Sequence, residues 1–252
     1  IGTIDAGTNY NTFIGDQIAG SNNLSDASDN TAIGYYVMNA LTQGDNNVGI
    51  GSTTMQFNTT GGNNVGVGMS NLRYNQTGSN NVAIGVYSQR GASGNSHSNN
   101  TSVGSSSLYS ITTGSNNVSL GHESSHDITV GGSNTSVGTI SNRYSTGFSF
   151  NNSTLGYKSL HFNESGSQNT AIGSQSMVGV SGQSHSNNVA VGYQSLMSLS
   201  TGSSNTVVGA LSGKDISTGS DNVLLGYGAG DNASTLGGSI GIGYQSLGAN
   251  TT

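Results

Sequence analysis

Cysteine, proline and tryptophan are absent from this chain, and charged residues make up only 6% of its 252 positions. Without cysteine there are no disulfides and no thiolate metal sites. Without proline no backbone N–H is forfeited, which suits a chain whose amides are needed in ladders. The five basic residues, Arg73, Arg90, Arg143, Lys158 and Lys214, are too few for a phosphate-tracking stripe, so nucleic acid is not an expected partner. No run approaches the ~20 apolar residues of a membrane span, and membrane insertion is not expected. Hydrophobic content of 31% falls below the roughly 45–50% of globular domains. That excludes a thick core and leaves room for a thin one. Random sparseness would mean disorder, but the apolar residues here are strictly placed.

What is present is a repeat. A phrase of Asn, a β-branched residue, a small residue, Ile or Val, then Gly recurs along the chain. Its closing glycines are Gly15, Gly34, Gly51, Gly68, Gly85, Gly104, Gly121, Gly138, Gly156, Gly173, Gly192, Gly209, Gly226 and Gly243, separated by 17 residues with expansions to 18 or 19. Such a period signals a stacked-repeat architecture. One residue before the glycine every copy is apolar, as in Ile33, Ile50, Val67 and Ile84; two before, it is usually small, as in Ala32, Gly49 and Ala83. Period-2 alternation reads as a short strand. The reading adopted is large residues inward, in register and buried, with small residues outward. Four before the glycine stands Asn in every copy except the last, where it is Ser239. Stacked at strand spacing, these amides are expected to form a ladder and cap the turn. A glycine seven before, such as Gly61 or Gly78, is expected where a tight turn needs positive φ. The second half of each copy, exemplified by Tyr193–Leu196, is read as a strand or bent extended segment. The predicted fold is all-β: a β-solenoid (β-roll or β-helix) of about fourteen coils of 17–19 residues, as a single repeat domain over 1–252, either whole or as a segment of a longer fibre.

The phrases Asn80–Gly85, Asn30–Gly34 and Asn169–Gly173 resemble the head repeats of trimeric autotransporter adhesins. They look still more like the repeats of phage and virus tail-fibre proteins, whose Tyr-Gln-Ser-Leu phrase stands here at Tyr193–Leu196 and Tyr244–Leu247. The resemblance implies a β-roll or β-helix, often in trimers, that binds hosts or matrix. The period of 17 exceeds the shorter coil of the autotransporter heads, and these 252 residues contain no heptad stalk or neck.

Several phrases imitate catalytic motifs. His122-Glu-Ser-Ser-His126 matches the zincin pattern, but that motif works on a helix, and here it follows a strand-ending glycine. Gly209–Lys214 is one residue short of a phosphate loop. The acids lack the one-per-coil supply of calcium β-rolls. His97 and His185 recur in equivalent expanded copies and are read as exposed turn residues. No catalytic residue, cofactor or metal site is therefore assigned. Asn-x-Ser/Thr sequons are frequent in so Ser/Thr-rich a chain; Asn58, Asn75, Asn163 and Asn232, in turns, are the candidates for glycosylation.

The expected function is that of a non-enzymatic extracellular structural protein, elongating by head-to-tail stacking. Ile1 and Gly2 are read as completing a repeat begun by Asn250, Thr251 and Thr252 of another copy. The alternative is an adhesive or receptor-binding head of a cell-surface adhesin or viral tail fibre. A shaft should be uniform, and the scattered tyrosines favour it. Expected partners are further copies, as filament or trimer, and host-surface glycans or receptors. The expected location is extracellular, on a cell or virion surface.

Overall fold

The computed structural model describes residues 9–19, 24 and 26–248. They form two compact units, Ile1–Val130 and Gly131–Thr252, each a parallel β-solenoid. Each coil contributes one strand, and no helix occurs among the described residues. The first unit holds β1 (Thr12–Asp16), β2 (Thr31–Tyr35), β3 (Val48–Ser52), β4 (Val65–Met69), β5 (Val82–Ile84), β6 (Thr101–Val103) and β7 (Val118–Leu120). The second holds β8 (Thr135–Val137), β9 (Ser153–Leu155), β10 (Thr170–Ile172), β11 (Val189–Val191), β12 (Thr206–Val208), β13 (Val223–Leu225) and β14 (Ile240–Ile242). Within each unit successive strands pair parallel with no offset of the repeat: Ile33 opposes Ile50, Ile50 opposes Val67, and Val67 opposes Ile84. The asparagine ladder at the strand entrance holds this register. Asn64 donates from its backbone N–H and from Nδ2 to Asn47 Oδ1 at 3.0 and 3.1 Å, and from Nδ2 to the Gly78 carbonyl at 2.9 Å. Its own Oδ1 accepts from both nitrogens of Asn81. Asn205 repeats the pattern between Asn188 and Asn222. Every polar atom of such a side chain is satisfied inside the fold, which is what makes a buried amide column stable.

The polarity of the strand is the reverse of the expected one. The small residue two before the glycine points into the coil: Ala32, Ala83, Ala171 and Ala190 are fully buried. The large residue that follows is in register as predicted but faces outward, with Ile50 37% and Ile84 39% exposed. The cause is the width of the lumen. Its opposite wall is built by the residue four after the glycine, and Met38, Met55, Leu72, Leu160, Met177 and Leu196 are all buried there. With a methionine or leucine reaching across, the strand has room for little more than a methyl group. A Cβ added at Gly49 would lie 2.9 Å from Met38 Cε.

The second half of the coil is a chain of turns rather than a second strand. Two residues in each turn adopt left-handed backbone, as at Ser70 and Leu72 (φ +55° and +47°), so the segment curls tightly enough to return to the sheet. The closing glycine carries the sharpest bend. Gly51 has φ +135°, and a Cβ there would collide with the Gly68 carbonyl oxygen of the next coil. The glycine seven before it serves differently from expectation. Gly61 lacks positive φ and is required by close approach, since a Cβ would strike the Gly78 carbonyl and the Asn58 side chain. Left-handed backbone falls instead on the residue five before, such as Asn46 or Asn63, a residue type that tolerates it.

Candidate interaction surfaces

The two main columns on the outward side of each sheet carry only uncharged side chains; Asp16, after the glycine in β1, stands beside them in register with Tyr35. In the first unit these columns are Thr or Val three before the glycine and Ile, Val or Leu one before; Thr or Ser also occupies the first column in the second unit. In β1–β4 the residue after the glycine joins the same face in register, pairing Tyr35 with Ser52 and Ser52 with Met69. At that position Tyr35, Met69, Val86, Tyr157, Tyr193, Tyr227 and Tyr244 are all exposed. Tyr227 and Tyr244 stack with centroids 5.5 Å apart. Contiguous exposed apolar surface rimmed by tyrosine is the composition of an interface. Parallel sheets, moreover, are normally covered on both faces.

A second feature lies five and six residues after the closing glycine. Phe57 and Tyr74 stack at 5.3 Å and 6°; Arg73 lies 5.8 Å from the first ring and 5.2 Å from the second. Arg90 sits between Tyr74 and Tyr109, at 5.0 and 5.4 Å, and Tyr109 stacks on His126 at 4.9 Å. The second unit has its own cluster, with Arg143 over Tyr144 at 4.9 Å and Tyr144 stacked on Phe162 at 5.1 Å. Sequence reading took the tyrosines as scattered. The signal was an aromatic, Arg or His at the fifth or sixth place in successive copies.

His97 and His185, expected at the surface, are buried, with neither ring nitrogen hydrogen-bonded. Each stands seven before a closing glycine, in the slot that Gly61 fills elsewhere, and its carbonyl accepts from the ladder amide of Asn81 or Asn169. In ordinary coils Leu41 or Ile111 fills the adjoining lumen. In the expanded coils the equivalent Ala92 and Val180 point outward, and the imidazole takes the vacated space. Burial pushes the pKa of His97 down to about 3 and that of His185 down to about 4, the latter against an opposing effect of the Ser200 backbone.

The zincin-like phrase forms a turn. His122 is exposed, while His126 lies on Tyr109 with Nδ1 2.6 Å from Asp127 Oδ1. Among the described residues no three His, Asp or Glu side chains converge as metal ligands. Nor is any helix there long and apolar enough to cross a membrane. Three of the four glycosylation candidates are corrected. Asn58, Asn75 and Asn163 are buried, each donating from Nδ2 to the carbonyl three residues on. A nitrogen held inside the coil has no room for a glycan. Asn232 is exposed. The assembly residues Ile1, Gly2, Asn250, Thr251 and Thr252 lie outside the described residues. Comparison with protein-family models, with curated proteins and with solved structures found no match.

Proposed function

We propose that this chain is a non-enzymatic structural module that associates with further copies of itself through the outer sheet face to build an extracellular fibre or filament. The observation that supports this reading is the exposed apolar face. No Lys, Arg, Asp or Glu stands in its two main columns, so it offers nothing to a partner selected by charge and much to a surface like itself. Seven coils of partly exposed Val, Ile, Leu and Thr present on the order of 700 Å², close to the ~800 Å² that one partner contributes to a stable interface. Head-to-tail stacking belongs to the same proposal. A ladder in which each coil offers the next the same donors and acceptors can accept a coil from another chain. The likeness of the Asn-Asn-Val-Ala-Ile-Gly phrase to tail-fibre and adhesin-head repeats supports a place on a cell or virion surface.

Sedimentation of the full chain tests the reading. Assemblies larger than the 25.3 kDa chain are expected. The paired substitutions Ile50→Lys with Ile84→Lys, and Leu155→Lys with Val208→Lys, are expected to dissociate them without unfolding, because these side chains already face solvent. A wild-type chain that stays monomeric at every concentration would overturn the proposal.

A second reading, an adhesive or receptor-binding head, is favoured by one observation of its own: the arginine–aromatic pile of the first unit.

A further inference from the structure

The pile contains both Lys/Arg residues of Ile1–Val130, Arg73 and Arg90, placed in consecutive coils of a chain whose net charge is -6. Neither guanidinium has a carboxylate within 4.0 Å among the described residues. Arg73 donates from Nε to Gln56 Oε1 at 2.9 Å, and Arg90 donates one N–H to Tyr109 Oη at 3.1 Å. A guanidinium carries five N–H groups in a fixed fork. Each guanidinium lies against two rings and is half-buried, and its remaining N–H groups suit a carboxylate or sulfate held bidentately. Two adjacent cations without counter-charges repel one another, and an anion relieves that repulsion.

The rings narrow the ligand further. One face of Phe57 is covered by Tyr74, and one face of Tyr109 by His126. The half-exposed Gln56, Tyr74 and Tyr109 add amide and phenol groups that suit sugar hydroxyls. Coils repeat at ~4.8 Å, close to the length of one pyranose ring. Asp127, beside His126, ends the anion-accepting stretch. We propose that the strip from Phe57 to Tyr109 binds an acidic polysaccharide. Arg73 and Arg90 hold its carboxylate or sulfate groups, and Gln56, Tyr74 and Tyr109 contact its hydroxyls. This inference rests on the second reading, not on self-assembly, since the strip lies after the closing glycine's first turn and the sheet face before it.

Calorimetric titration of the full chain with polygalacturonate, heparin and dextran tests it, with sedimentation of the same samples reporting assembly separately. Binding is expected to one or both acidic polymers, weakening as salt rises, and to be absent for dextran. Which acidic polymer binds tells carboxylate from sulfate. R73Q with R90Q should weaken binding at least tenfold, whereas R143Q should leave it unchanged. Should the double variant fold poorly, phenylglyoxal labelling of the unmutated protein reads the same site: the bound polymer should protect Arg73 and Arg90 and spare Lys214 from any effect in parallel amine labelling. Absence of binding to both acidic polymers, equal binding to dextran, equal loss in R143Q, or unprotected arginines would each overturn the proposal.

Discussion

The middle coils of the first unit and the last coils of the second fill their interiors with different chemistry. Around β5–β7 polar side chains line much of the interior, beside the small apolar cluster of Leu108, Ile111 and Ile128. Gln89 donates to Ser102 Oγ at 2.9 Å and to the Val82 carbonyl at 2.8 Å, Ser88 bonds Ser102, and Ser107 donates to Ser119 Oγ at 2.9 Å. Around β12 and β13 the interior is hydrocarbon: Leu196, Leu199, Val207, Ile216, Leu224 and Ala229 form one cluster. There the sizes are also exchanged across the lumen. The strand carries the large Leu224, and the facing wall is reduced to Gly213 and Gly230; a Cβ at Gly230 would lie 2.6 Å from Leu224 Cδ1. The backbone is the same in both regions. What each coil conserves is therefore the filled volume and the satisfied hydrogen bond, not a residue type, as close packing requires.

The largest effect should come from breaking the hydrocarbon side. Leu224→Ala opens a cavity beside two glycines that cannot fill it and is expected to cost about 3–4 kcal/mol. Hydrogen exchange should show protection lost in the coils around β13 and kept in Ile1–Val130. Similar loss around β5–β7 would show that the two interiors do not behave as separate packing environments.

Acid should act next, and on both units, because each carries a histidine whose pKa burial lowers, His97 in the first and His185 in the second. The folded-state pKa values of His97 and His185 lie below the ordinary value near 6.5, so the unfolded chain binds these protons first. Their neutral forms contribute fully above about pH 6.5. Stability then falls by about 1.4 kcal/mol per pH unit for each histidine as pH drops toward the folded values. Melting curves from pH 7 to pH 4.5, approximate limits set by the same linkage, should show this slope, and His97→Leu with His185→Leu should flatten it. An unchanged slope in the double variant would place the acid sensitivity elsewhere.

The polar side gives the smallest changes when altered as a pair. Gln89→Ala strips Ser102 and the Val82 carbonyl of a donor and is expected to cost about 2 kcal/mol. Gln89→Met with Ser102→Ala replaces the network by hydrocarbon of like volume, and since Gln89 Oε1 has no partner, the change should stay within about 1 kcal/mol. Additive losses in the double variant would mean that the polar network is worth more than a packed one.

The repeat length, the closing glycine, the asparagine column and the strand register were legible because each is set by local backbone demands that recur at a fixed offset. The facing of the strand was not. The rule that large residues go inward assumes a core thicker than one side chain, and here Met55 or Leu72 fills the space that Ile50 or Val67 would need. His97 and His185 were misplaced for a related reason: an inserted pair of residues looks like a bulge outward, yet it turned Ala92 and Val180 out and a ring in. The arginine–aromatic pile was visible only as residues at two neighbouring offsets, and its contacts depend on side chains from five different coils.

Left-handed backbone at non-glycine residues recurs at three places in nearly every coil, as at Asn63, Ser70 and Leu72 with φ of +58°, +55° and +47°. Each such residue is disfavoured by roughly 1–2 kcal/mol on its own. A single coil is then uphill by several kcal/mol until neighbours supply the amide ladder and the lumen contacts. Folding must begin with a nucleus of several coils formed together, the slow event, after which each further coil adds downhill. Unfolding should run in the opposite sense, coil by coil from an open terminus, so proteolytic fragments should differ in mass by steps of about one repeat.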